Sequence, residues 1–340
     1  MMNKDSISNP PLSQGFTSRQ MELFQTFFGN EEEVGRLSNT IELWDAVPKY
    51  AISAKRQTRM RNTLGGLEPV TMSFQHRGKT YAVTLYPAKV QDRKGKWIDR
   101  FPAEREELVE DGLRKLAADR QQGFFDKYSA GVVFTAKQLI GILSDHGHKI
   151  NYYDLVTSLE ILKGASVSLS RQGERKSFFH APILTELGAV SLEDWRRDKS
   201  ARWYVRFNSI IETCILAKTY RQFDFAKMMA HTSQVSRWLY KRMAHVYLQA
   251  SLADPYQILL TTIKRDSRLL NAASLRHDAQ TMRQVLAEMK SQDVLVGAHE
   301  QRRYGSHRRL LDILYTLIPH PTFIRQVKAA NKRTKMLDDM

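Results

Sequence analysis

The sequence predicts an α+β fold in which one helix-turn-helix unit, framed by short strands, occurs twice in tandem behind an N-terminal β-hairpin segment. Three observations carry this. Apolar spacing switches repeatedly between the helical and the strand period. The order strand, helix, turn, helix, strand, basic turn, strand is legible over residues 130–180 and again over residues 256–315, with little literal identity between the copies. A length of 340 residues exceeds one ordinary domain and suits two.

In chain order, residues 1–35 carry Pro10, Pro11 and Gly15 with little periodicity and read as a tail, apart from an apolar stretch at residues 20–28 suited to a short docking helix. Residues 36–100 read as a β-hairpin module packing on the first unit. Val70 to Phe74 and Tyr81 to Tyr86 alternate around Arg77-Gly78-Lys79, and a second turn at Arg93-Lys94-Gly95-Lys96 precedes Trp97-Ile98.

Residues 101–215 form the first unit. Pro102 opens a helix whose first turn is acidic (Glu104, Glu106, Glu107) and whose later turns bring Arg114 and Lys115, an order that complements the helix dipole. Val132-Val133-Phe134 is a strand, and Thr135 caps a helix with Leu139, Ile140 and Leu143 inward. Asn151 caps the next helix, which carries Leu155, Val156, Leu159 and Leu162 and ends at Gly164. A strand at residues 166–170, a basic turn at 171–176 and a return strand from Ser177 follow. Tyr204 to Phe207 reads as one more strand, and residues 210–216 are apolar on all sides.

Residues 216–325 repeat the order. A helix follows Ser233, with Val235, Trp238, Leu239, Met243 and Val246 on one stripe. Tyr256 to Ile258 is a strand, and Thr261 or Thr262 starts a basic helix. Ser274 caps a helix with Leu275, Met282, Leu286 and Met289 inward, and two strands flank a turn at residues 301–306. Strand, helix, turn, helix and a basic hairpin constitute a winged helix, so the fold class is α+β with two tandem winged-helix domains. Residues 326–340 read as a basic tail.

Charge locates the function. The chain carries 52 Lys+Arg against 36 Asp+Glu, a net +16. Residues 201–340 hold 23 basic and 11 acidic side chains, whereas residues 101–200 hold 14 and 15. A surplus concentrated in the last 140 residues points to a polyanion bound there. The single cysteine, Cys214, excludes an intrachain disulfide framework and a cysteine-cluster zinc site, and fits a cytoplasmic setting. The longest apolar run, residues 310–318, is too short for the ~18–20 residues of a membrane span, and the polar start has no secretory core.

Enzyme motifs fail on spacing. Gly78-Lys79-Thr80 has Ser73 where a phosphate-binding loop needs glycine, and a strand follows. His146-Gly147-His148 near Tyr152 and Tyr153 lacks the apolar residue that separates the paired histidines of a nickase strand. No metal, cofactor or catalytic constellation is expected, and the chain is read as a non-enzyme.

The polar face of the second unit's second helix offers Arg276, His277, Gln280, Arg283 and Gln284. Arginine pairs with guanine O6/N7 and glutamine with adenine N6/N7, and an α-helix fits the major groove of duplex DNA. Lys264, Arg265 and Arg268 on the preceding helix, with Arg302, Arg303, Arg308 and Arg309 about the wing, are expected on phosphates. In the first unit Asn151 and Tyr152, with Arg171, Arg175 and Lys176 on its expected wing, are auxiliary DNA candidates, although that near-neutral segment also suits protein contact.

Val133-Phe134-Thr135 leading into Leu139-Ile140, the helix from Tyr152 to Leu162 with its strand and wing, Ser236-Arg237-Trp238-Leu239-Tyr240, and Tyr256-Gln257-Ile258 through Lys264-Arg265-Asp266 together resemble plasmid replication initiators of the RepA/TrfA type, over about residues 100–320. The resemblance implies that the second winged helix reads repeated origin sites (iterons). It implies that the first supplies dimerisation and an adjacent DNA contact, and that binding opens an AT-rich segment and recruits the host initiator and replicative helicase. Plasmid copy control would follow from the same contacts. A two-domain transcriptional repressor is the alternative with the same fold and charge; an origin nickase is a third. The hairpin at residues 69–86 has no counterpart in the resemblance.

Overall fold

A computed structural model describes residues 37–118, 122–126, 129–172, 178–190, 198, 200–216 and 220–338. The tail, the docking helix of residues 20–28, and Arg175 and Lys176 therefore lie outside the described residues, as does the side chain of Arg308.

The chain begins with β1 (Leu37–Ile41), α1 (Glu42–Ala46) and α2 (Ala54–Met60), followed by the hairpin β2 (Val70–His76) and β3 (Lys79–Tyr86) and by β4 (Ala88–Gln91) and β5 (Trp97–Arg100). The β2–β3 turn places Arg77 at φ 46° and Gly78 at φ 72°, the pair of left-handed residues that a two-residue hairpin loop requires. The first unit follows: α3 (Glu104–Ala117), β6 (Gly123–Asp126), β7 (Ser129–Thr135), α4 (Ala136–Asp145), α5 (Tyr152–Gly164), β8 (Ser166–Arg171), β9 (Phe178–Pro182), β10 (Leu184–Val190), β11 (Arg202–Phe207) and α6 (Ser209–Leu216). The expected caps are in place: Thr135 Oγ1 accepts from the Gln138 amide, and Asn151 Oδ1 from the Asp154 amide.

Strand pairing in this unit departs from expectation. The strand after α5, β8, pairs with β3 and β9, so the early hairpin is built into a four-stranded sheet of order β2-β3-β8-β9. The strand before α4, β7, lies instead in a sheet of order β10-β11-β7-β6. Gly131 permits the close β7–β11 approach, since a Cβ there would collide with the Val205 carbonyl and the Phe124 ring. By strand order, the wing equivalent of the first unit is the β10–β11 hairpin. Arg171, the first residue of the expected basic turn, ends β8 in a different sheet.

The second unit opens with β12 (Tyr220–Asp224), α7 (Phe225–Met229) and α8 (Gln234–Val246), and continues with β13 (Tyr256–Leu259), α9 (Leu260–Ser267), α10 (Leu275–Ser291), β14 (Leu295–Tyr304), β15 (Leu310–Pro319) and α11 (Pro321–Asp338). Its sheet has the order β13-β15-β14, and Ile313, Tyr315 and Leu317 alternate inward along β15. Helix α9 starts at Leu260, one residue before the expected threonine, and Val246 at the end of α8 is exposed. The segment expected as a basic tail from residue 326 is helical as far as Asp338. It is anchored by Phe323, Val327 and Ala330, and by a hydrogen bond from Tyr240 Oη to Gln326 Oε1 (3.1 Å).

The N-terminal module serves both units. Strand β1 pairs with β12, and β2 packs on α9, where the Gln75 amide donates to Asp266 Oδ1 (3.0 Å). Between the units, α3 and α8 meet through buried charges. Lys241 Nζ lies 2.6 Å from Asp111 Oδ2 and 3.3 Å from Glu107 Oε1, and Arg237 Nη2 lies 2.7 Å from Glu104 Oε1. Arg114 joins Asp111 (2.6 Å) to Asp45 (2.8 Å), and Glu110 accepts from Trp44 Nε1 and Tyr50 Oη. The acids expected to complement a helix dipole in water thus face a partner helix. Burial works against the charge on Lys241, but Asp111 and Glu107 outweigh it and raise its pKa, keeping the ammonium ionised.

Removing Lys241 leaves two buried carboxylates one cation short, with Arg114 alone on Asp111 and Arg237 no closer than 3.9 Å to Glu107. Lys241→Met is expected to lower unfolding free energy by about 3–5 kcal/mol, measured by urea denaturation; a loss below about 1 kcal/mol would contradict the assignment.

Candidate nucleic-acid interface

Helix α10 spans 17 residues, about 25 Å. Ser274 Oγ caps it by accepting from the Arg276 amide (3.2 Å), and Ala279, Met282, Val285, Leu286 and Met289 form its buried stripe. Its two acids are both turned away from the open face. Asp278, 2% exposed, accepts from Lys264 Nζ and from the Ala272 amide. Glu288 accepts from the Thr232 amide and hydroxyl and from Ser236 Oγ at the start of α8. Burial works to raise the pKa of Glu288, but the bonds from Ser236 and Thr232 outweigh it and hold the carboxyl below its usual range.

What remains outward is Arg276, His277, Gln280, Thr281, Arg283, Gln284, Ala287 and Lys290, all exposed and without a carboxylate among them. All five polar-face candidates, Arg276, His277, Gln280, Arg283 and Gln284, therefore share one open face, joined by Thr281. A helix surface of guanidinium, amide, imidazole and hydroxyl groups can meet base edges by hydrogen bonds and phosphates by charge.

The wing stands beside this face. Arg302, Arg303 and Tyr304 are exposed at the end of β14, and the tip is closed by the Gly305 amide donating to the Arg309 carbonyl (2.9 Å). His307 sits at the tip with φ 55° and is exposed, as is Arg309. Arg283 Nε reaches across to Glu300 Oε1 on β14 (3.2 Å), and Arg302 Nη2 lies 3.8 Å from Glu300 Oε2. Tyr304 and His307 were not among the sequence candidates; their signal was a position inside a basic turn.

The three basic residues of α9 behave differently. Lys264 bonds the Ala272 carbonyl (2.6 Å) and Asp278, which fixes the entry to α10. Arg265 holds Asp266 through Nε (2.7 Å) and Nη2 (3.0 Å). Arg268, left-handed at φ 56°, ends α9 and donates to the Ser73 carbonyl (2.6 Å) and Ser73 Oγ (3.2 Å). Asp266 is a buried acceptor that docks α9 onto β2 and also meets Arg242 Nη1 (3.2 Å). Each of these cations, while partly exposed, therefore has a partner inside the protein and acts as a strut between elements.

In the first unit Tyr152 is buried and donates to the Asp198 carbonyl (2.9 Å), while Asn151 is exposed but acts as the α5 cap. Helix α5 buries Tyr152, Leu155, Val156, Leu159, Ile161 and Leu162 among α3, β4 and β10, and Arg93 on the β4–β5 turn lies over the Tyr153 ring (4.9 Å). The outer side of α5 carries Tyr153, Asp154, Thr157, Glu160 and Lys163, while Tyr152 is turned inward and Asn151 is engaged in the cap, so those two do not share one open face. Arg171 ends β8, in the sheet extended by the early hairpin. His146 Nδ1 and His148 Nε2 each meet a backbone carbonyl, of Ile142 and Met229. Among the described residues no group of three metal-ligating side chains converges, and no helix is long and apolar enough to cross a membrane.

If the struts and the wing are correctly separated, Arg303→Ala reduces the slope of log affinity against log salt by about 1 on duplex DNA, whereas Arg268→Ala leaves that slope unchanged and lowers stability. Salt titrations of both variants check this; a reduced slope for Arg268→Ala would place that residue on the nucleic acid.

No family model matches the chain, and no curated protein matches it. It is similar to solved structures of domains 2 and 3 of RctB. One, with selenomethionine, shows 11% identity and a TM-score of 0.49 over 79% of this chain and 99% of that one. Another shows 10% identity and 0.47 over 76% and 94%. It is also similar to the Pi initiator protein in complex with iteron DNA, at 11% identity and a TM-score of 0.44 over 64% of this chain and 91% of that one.

Proposed function

We propose that the chain is a non-catalytic plasmid replication initiator that binds repeated duplex sites at an origin through the open face of α10 and the wing β14–β15. The observation that carries the reading is the orientation of α10: both of its acids are used internally, so its exposed face presents only neutral and basic groups beside a basic hairpin. An ordinary solvated helix mixes both signs. The sequence resemblance to RepA/TrfA initiators supports origin replication over other uses of a winged helix.

In this reading Arg276, Gln280, Arg283 and Gln284 read bases, while Arg302, Arg303, Arg308 and Arg309 hold phosphates. The first unit contributes self-association and orientation. Two units locked at one angle to each other deform or phase the duplex they share, which favours opening of an AT-rich segment. Recruitment of a host initiator and helicase, copy control and a cytoplasmic site of action belong to the same proposal.

A DNase I footprint of the purified chain on its own replicon, with maintenance of a minimal replicon supplied with the chain in trans, tests it. Protection of same-orientation repeats at regular spacing, together with maintenance, is expected. A single inverted repeat without maintenance would make the chain a repressor and overturn the proposal.

A further inference from the structure

Glu300 stands out because it does not suit its surroundings. It lies on the wing strand, facing the side where a polyanion would bind, in a segment otherwise rich in arginine. A carboxylate there repels phosphates and lowers affinity for every DNA. Its contribution to folding is small, since the pair with Arg283 is half-exposed (52% for Arg283, 22% for Glu300) and exposed ion pairs add little.

Its geometry suggests a different role. Glu300 Oε1 takes Arg283 through Nε at 3.2 Å, and Glu300 Oε2 is 3.8 Å from Arg302 Nη2. The contact uses the inner edge of the Arg283 guanidinium and leaves Nη1 and Nη2 without a partner among the described residues. Those two groups form the end-on fork that matches guanine O6 and N7. In the β14–β15 register Glu300 is paired with Tyr315, whose side chain is fully buried, so its backbone sits on a packed strand. An arginine on an exposed helix otherwise samples many rotamers, and fixing it before binding removes that ordering cost for the correct base alone.

We propose that Glu300 is a positioning residue that sets the specificity of the interface, holding Arg283 so that its outer edge reads one guanine of the site. This rests on the reading of α10 as the base-contacting helix. Weaker binding to DNA in general is exchanged for discrimination at one base pair.

The test uses the full chain and duplexes enriched by the wild type from a randomised library, with binding compared against a scrambled duplex. The variants are Glu300→Gln, Glu300→Asp, Arg283→Ala and the Glu300→Gln/Arg283→Ala double variant, each checked by thermal melting. Glu300→Gln is expected to bind scrambled duplex several-fold tighter, and to lose on the order of tenfold preference for guanine at one position. That position is the one Arg283→Ala also loses, and the double variant loses no more. Glu300→Asp keeps the charge but falls short of Arg283, so it loses the same preference without the general gain. Retention of the guanine preference in Glu300→Gln and Glu300→Asp, with Arg283→Ala losing it, would overturn the positioning role alone. An unaltered profile for Arg283→Ala, or no enriched sequence for the wild type, would overturn the reading of α10 and this role with it.

Discussion

The charges between α3 and α8 are the constraint on which the rest of the molecule depends. Glu104, Glu107 and Asp111 form one stripe of α3, and Arg237 and Lys241 one stripe of α8; all but the half-exposed Glu104 are buried. Apolar side chains at such a seam would tolerate a slide of one turn. Paired ions do not, because any other register leaves a carboxylate or an ammonium buried alone. Buried ion pairs contribute less to stability than their Coulomb energy suggests, and registry is their best-attested role. Here the register they set is that of the second unit against the first.

Helix α8 passes that constraint on to the interface. Its N-terminus is held by Glu288 of α10 through Thr232 and Ser236, while its middle is held by α3. Helix α9 is fixed from the other side, by Asp266 on the Gln75 amide and Arg268 on Ser73. Helix α10 is therefore braced near both ends by contacts that engage its own acids, Asp278 with Lys264 and Glu288 with Thr232 and Ser236. Its open face lacks a carboxylate because both acids bond inward, on either side of an apolar stripe.

From α8 to β15 the second unit was legible in the sequence almost element by element, whereas β12, α7 and α11 were not. Its strands alternate, its helices carry a single apolar stripe, and Ser274 marks the start of α10, so local pattern and final fold agree. That Arg276, His277, Gln280, Arg283 and Gln284 share one exposed side of α10 was legible for the same reason. The first unit was legible in its helices and caps but not in its pairing, because strand partners are long-range choices that period alone does not specify. Nothing local to residues 166–171 announces that β3, some 85 residues earlier, will be their neighbour. What the sequence did not announce is that the α9 cations also have partners inside the protein, Asp278, Asp266 and Ser73, because a basic helix looks the same with or without them. A signal for the seam was present: acids at 104, 107 and 111 match the basic pair at 237 and 241 in helical spacing.

The central claim is that the open face of α10 reads base edges in the major groove. Interference by base methylation on a wild-type-selected duplex tests it most directly, since guanine N7 lies in the major groove and adenine N3 in the minor. The account predicts that N7 methylation at a few discrete guanines blocks binding, with one of those positions becoming indifferent in Arg283→Ala. Binding insensitive to every N7 methyl group, and blocked instead by methylation at adenine N3 alone, would contradict it.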